Sequence, residues 1–94
     1  MDMEPVDTSE LQKLRDMLEA KGMECEWDED PALGGASICI PSRDAFAMRA
    51  GFSVIQIYGS EGADCGLLEM WGHGMKNPEG FLSAEDVLRK LEEH

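Results

Sequence analysis

Positive charge is what this sequence has least of: eight Lys and Arg stand against twenty Asp and Glu, a formal net charge of −12 on 94 residues. A field of that sign repels nucleic acid and anionic membrane surfaces, so it argues against direct binding to either and favours basic partners. No apolar run approaches the ~20 residues that span a bilayer. The opening Met-Asp-Met-Glu-Pro has neither the basic nor the apolar region of a signal peptide, so a cytoplasmic protein is the expectation. Cysteine is scarce as well. Cys25, Cys39 and Cys65 are an odd number without close pairing, which argues against a disulfide framework and fits reduced thiols packed as small apolar residues. There is no repeat, linker or low-complexity tract, so residues 1–94 form one domain.

What is present is a globular composition, 43% hydrophobic and 30% charged, which places the acidity on a folded surface rather than a free tail. That acidity is unevenly spread. Residues 1–30 hold eleven acids against Lys13, Arg15 and Lys21, a net of −8, while the remainder carries −4.

Local signals define two helices. Val6-Asp7-Thr8-Ser9-Glu10-Leu11 reads as an entrance with Asp7 as N-cap, Glu10 reaching back and Val6 stapled against Leu11. The helix should cover residues 8–21, bury Leu11, Leu14 and Leu18, and stop at Gly22 in a left-handed conformation. The same grammar returns in Leu82-Ser83-Ala84-Glu85-Asp86-Val87, where Ser83 caps a helix over residues 84–93 that buries Val87, Leu88 and Leu91.

Between these helices the apolar period falls to two. Met23, Cys25 and Trp27 alternate with Glu24, Glu26 and Asp28, giving a half-buried strand with an acidic outer row. Residues 36–40, 52–58 and 66–71 are three further strands, residues 42–50 fit a short helix or a hairpin extension, and residues 72–78 read as a loop. The expectation is an α+β fold: a four-stranded, mainly antiparallel sheet with both terminal helices on one face, in the order α-β-β-β-β-α. Ile55 and Ile57 then oppose Phe52, Val54 and Tyr58, and Leu67, Glu69 and Trp71 oppose Leu68 and Met70. Either an apolar face is left open as an interface, or the 42–50 or 73–80 segment folds over it.

The run Glu24, Glu26, Asp28, Glu29 and Asp30 is the strongest candidate site. Alternate residues on a strand stand ~6.6 to 6.8 Å apart, against one phosphate per ~3.4 Å along a DNA strand. One such row is too sparse to imitate a duplex, and its simplest role is to blunt a sheet edge. The run lacks the spacing of a calcium loop. Cys65 with His73 matches no thiol-nucleophile signature, and Cys25, Cys39, Cys65 and His73 lack the close pairs of structural zinc. The 59–66 stretch has no Gly-Lys-Ser/Thr element and is no phosphate loop. No metal or cofactor is implied. Arg43 and Arg49, the only Lys or Arg between Lys21 and Lys76, are the candidate clamp for a phosphorylated ligand.

Ser53-Val54-Ile55-Gln56-Ile57-Tyr58-Gly59, Gly66-Leu67-Leu68-Glu69-Met70-Trp71 and Gly80-Phe81-Leu82-Ser83-Ala84-Glu85-Asp86-Val87-Leu88 together resemble small acidic proteins encoded by phages and prophages. The resemblance covers about half the chain, is structural, and carries no catalytic residue across. It implies an inhibitor of host defence, anti-CRISPR proteins among them. The expectation is therefore a non-enzymatic acidic protein that blocks a basic nucleic-acid-handling host protein through Glu24, Glu26, Asp28, Glu29 and Asp30, with Tyr58 and Trp71 as apolar anchors. The alternative is a phage protein that sequesters a signalling nucleotide through Arg43, Arg49 and stacking on Trp71 or Tyr58. An open sheet face would also serve a homodimer.

Overall fold

The computed structural model describes residues 6–93; Asp2 and Glu4 of the acidic N-terminal run lie outside them. The first helix, α1 (Ser9–Ala20), buries Leu11, Leu14 and Leu18 as its spacing requires. Its N-cap is Thr8 rather than the expected Asp7, because the helix begins one residue later; the Asp7 carboxylate, just ahead of it, accepts from the Ser9 backbone N–H at 2.9 Å and from the Ser9 hydroxyl at 2.5 Å. These two bonds hold the Asp7 carboxyl below the usual aspartate range. At its exit Gly22 takes φ +71, with Met23 N–H bonded to Leu18 O at 2.9 Å and Gly22 N–H to Glu19 O at 3.0 Å, a Schellman ending.

Glu10 does not reach back to its own helix. Its carboxylate instead accepts from the Ala84 N–H at 2.7 Å, at the start of the C-terminal helix. That first-turn amide has no intrahelical acceptor and sits at the positive end of a helix dipole, so it draws in the nearest carboxylate.

Five strands, not four, make the sheet: β1 (Glu26–Glu29), β2 (Gly35–Ile40), β3 (Phe52–Ile57), β4 (Leu68–Gly72) and β5 (Glu79–Leu82). They run antiparallel in sequence order with open edges at β1 and β5. The unexpected strand is β5, held to β4 by the pairings Leu68 with Leu82 and Met70 with Glu79 across an irregularity. Only Leu82 of its four residues is buried, and Phe81, at φ +57, is 60% exposed. A strand that delivers one side chain to the core has no apolar alternation to reveal it. The first strand is also shorter than the 23–28 pattern, although Met23 and Cys25 pack against the core ahead of the ladder.

Residues 42–50 do form a helix, α2 (Arg43–Ala47), with the Ser42 hydroxyl accepting from Ala45 N–H at 3.1 Å. The last helix, α3 (Ala84–Glu92), opens on a full capping box: Ser83 Oγ accepts from Asp86 N–H and Asp86 Oδ2 accepts from Ser83 N–H, each at 3.1 Å. Those bonds, with Arg89 beside them, hold the Asp86 carboxyl below its ordinary value. Removing the cap with Ser83→Ala is expected to lower the unfolding free energy by about 1 kcal/mol in a urea titration.

Helices α1 and α3 lie on the same face of the sheet. Leu11, Leu14 and Leu18 from α1 and Val87, Leu88 and Leu91 from α3 share one cluster with Ile38, Val54, Leu68 and Met70. Among the described residues the single buried polar one is Gln56 on the central strand, whose Oε1 accepts from Leu11 N–H at 3.1 Å. Its Nε2 has no partner among the described residues. Between the helices, Lys13 pairs with Glu85 at 2.6 Å, which holds the Glu85 carboxyl low and the Lys13 ammonium high.

Candidate functional site

With both long helices on the inner face, the outer face of the sheet carries the remaining side chains: Glu26 and Asp28 from β1, Ser37 and Cys39 from β2, Ser53, Ile55 and Ile57 from β3, and Glu69 and Trp71 from β4. Ile55 and Ile57 are half-buried. The two ways of treating this face are both realised in part. Phe46 of α2 and Pro78 of the loop before β5 close over one end, where they share a hollow of about 220 Å³ with Ser53, Ile55, Glu69 and Trp71. Toward the other end the face stays uncovered, and Ser37, Ile55 and Ile57 line a shallow hollow of about 320 Å³ bounded by Asp28, Glu29, Asp30 and Pro31.

The five acids of the run do not act as one row. Glu26 and Asp28 point outward from the edge strand, opposite Cys39 and Ser37. Glu29 stands opposite Ala36, a core-facing residue, and so belongs to the other face while remaining exposed. Glu24 is exposed ahead of the strand. Asp30 is committed to the hairpin turn, its Oδ1 accepting from the N–H groups of Ala32 at 3.0 Å and Leu33 at 2.9 Å.

Arg43 is drawn to this edge rather than to Arg49. Its guanidinium lies 3.8 Å from Asp28, and its backbone N–H reaches Glu26 Oε1 at 3.4 Å. The two arginines lie at opposite ends of α2. Arg49, just past that helix, adopts φ +63. Tyr58 and Trp71 are separated too. Trp71 pairs with Ser53 at the start of β3, whereas Tyr58 follows the end of that strand, about 16 Å away along it. Tyr58, 59% exposed, neighbours the acidic corner through its N–H bond to Gly34 O at 3.4 Å. Trp71, 37% exposed, neighbours α2.

Cys65 is exposed on a single 3-10 turn (Ala63–Cys65) and His73 lies beyond the far end of β4, so the strand separates thiol from imidazole. His73 instead places Nδ1 3.0 Å from the Arg49 carbonyl oxygen. Burial pushes the Cys25 and Cys39 thiols up, away from reactive thiolates. Among the described residues no group of three His, Cys, Asp or Glu converges as metal ligands would.

Of the alternative nucleotide site, Arg43 and Arg49 with Trp71 or Tyr58, only Arg49 and Trp71 come together, in a cleft beside α2 of about 530 Å³ whose walls also include Phe46, His73 and Met75. His73, flanked by glycines, read as a plain loop residue. No protein-family model matches this chain, and no curated protein or solved structure shows significant similarity to it.

Proposed function

We propose that this chain is a non-enzymatic cytoplasmic binding protein that docks the open part of its outer sheet face onto a basic, nucleic-acid-handling protein and blocks it. One observation carries this reading: Ile55 and Ile57 lie half-exposed beside an edge strand that carries Glu26 and Asp28 outward. An apolar strip beside a rim of one charge sign is how a protein interface combines area with steering. A net charge of −12 makes the complementary partner basic. The likeness to small acidic phage proteins makes a host defence effector, a CRISPR effector included, the partner class to test first.

The test is direct binding to purified basic nucleic-acid-binding effectors, with a neutral protein as control. Affinity is expected to fall at least tenfold between about 0.1 M and about 1 M salt, as the screening length drops from roughly 10 Å to roughly 3 Å. Two variants should each weaken binding by about tenfold or more: Ile55→Asp, and the outward-facing pair Glu26→Lys, Asp28→Lys. Unchanged affinity in both variants overturns the reading. So does a homodimer that is lost with Ile55→Asp while no basic protein binds.

A further inference from the structure

The eight Lys and Arg side chains are almost all occupied. Five pair with carboxylates, and Arg15 lies 4.6 Å over the Trp27 ring. Among the described residues, Arg49 and Lys76 alone have neither kind of partner. In a chain with twenty acids two uncommitted cations are exceptional, and one lines, while the other adjoins in sequence, the wall of a single cleft. Arg49 lines the cleft beside α2, and Lys76 is the next residue along the chain from Met75, which also lines it.

The other walls fit an anion that carries a ring. Phe46 from α2 and Trp71 from β4 contribute aromatic faces, and Gly51 and Gly72 contribute bare backbone. Those glycines are required by close strand approach: a Cβ on Gly51 would stand 2.6 Å from Ile40 O, and one on Gly72 would stand 2.7 Å from Phe52 Cα. His73 ties the walls together, donating its backbone N–H to Gly51 O at 3.0 Å. Because the Arg49 carbonyl only accepts, the facing Nδ1 of His73 carries the proton. That bond holds the loop against the left-handed Arg49, a backbone conformation a non-glycine residue adopts at a cost. At about 530 Å³ the cleft lies within the ~300–1,000 Å³ usual for small-molecule sites.

From the spare Arg49 in a cleft walled by Phe46, Trp71 and His73, with Lys76 on the adjoining loop, we infer that the cleft binds a small aromatic phosphomonoester of the nucleoside monophosphate class. The phosphate is met by Arg49 and Lys76, and the base is held against Trp71 and Phe46. The site differs in charge and place from the acidic rim proposed for partner docking, so either can fail without the other.

The experiment is an amide and indole NMR titration of the full chain with four nucleoside monophosphates, and with adenosine and inorganic phosphate as separate arms. Saturable shifts are expected at Arg49, Trp71 and His73, with at least one nucleotide binding tenfold or more tighter than either arm. Arg49→Gln should weaken that nucleotide about tenfold, and Lys76→Gln, on an exposed loop, should weaken it severalfold. The inference is overturned if no monophosphate saturates in the millimolar range, or if the shifts fall outside the cleft. It is equally overturned if phosphate or adenosine alone binds as tightly, or if both variants bind like the parent chain.

Discussion

Replacing Gly35 with alanine is expected to cost about 3 kcal/mol or more, read as a lowered urea midpoint with loss of sheet signal in far-UV circular dichroism. Gly35 sits at φ +93, where a Cβ is strained in any surroundings. The surroundings are also closed. A Cβ there would collide with the carbonyl oxygen of Gln56 and stand 2.8 Å from Ile57 Cα, so neighbouring backbone, not a yielding side chain, must move. Gly35 also closes the hairpin that presents the acidic edge. Its carbonyl accepts from Asp30 N–H at 3.0 Å, and it pairs with Ile57 in the β2–β3 ladder. The strain is therefore passed to β1 and to the corner beside Tyr58. Gly59→Ala is the control. Gly59 has φ +87 but open space around it, so it should cost only the roughly 1–2 kcal/mol of the left-handed conformation. Equal losses at the two positions would show that the backbone collision at Gly35 is absent.

Truncating Leu14 to alanine is expected to cost about 3 kcal/mol and to lower Tm by more than about 10 °C. Leu14 is fully buried at the centre of the apolar stripe of α1, in the cluster shared with α3 and three central strands. Removing its branched end loses the transfer energy of the missing carbons and leaves a cavity that rigid neighbours cannot fill. A domain of this size has a net stability of only ~5–15 kcal/mol, so the loss is a large share of it. Met17, partly buried at the edge of the same cluster, should cost clearly less when truncated, because the gap it leaves opens to water. A chevron or calorimetric melt that ranked Met17→Ala above Leu14→Ala would contradict the placement of α1 on the sheet.

Legibility in the sequence tracked how local each interaction is. The stop at Gly22 and the capping box at Ser83 and Asp86 are set by residues within a few positions of one another, and each appears where the pattern put it, whereas at the first helix the cap falls one residue later than Asp7, on Thr8. The two faces of β3 followed from alternation alone. The strand β5 did not, because its pairing rests on backbone groups and one buried leucine. Glu10 shows the limit of local grammar. The sequence placed it where a capping box would use it, and a helix start 74 positions away used it instead.

The candidate sites divide in the same way. The acidic edge was visible because charge and period are properties of a short stretch. Its breakup was not visible, because Asp30 is consumed by a turn and Glu29 turns to the other face only once the hairpin forms. Arg43 and Arg49 looked like a pair because they stand only six positions apart. The acids of β1 took Arg43, and the loop after β4 met Arg49 through His73, 24 positions away.

By itself, then, the sequence determined the sign and location of the charge, the two terminal helices, and an α+β sheet with one helix-covered face. These follow from propensity, period and composition, which act over a few residues at a time. The tertiary structure alone decided the fifth strand, the partial cover over the outer face, the partner of Glu10 and the cleft that joins Arg49 to Trp71 and His73. Each of these depends on which distant backbone or side-chain groups meet when the sheet closes on its helices, and no short-range pattern encodes that meeting.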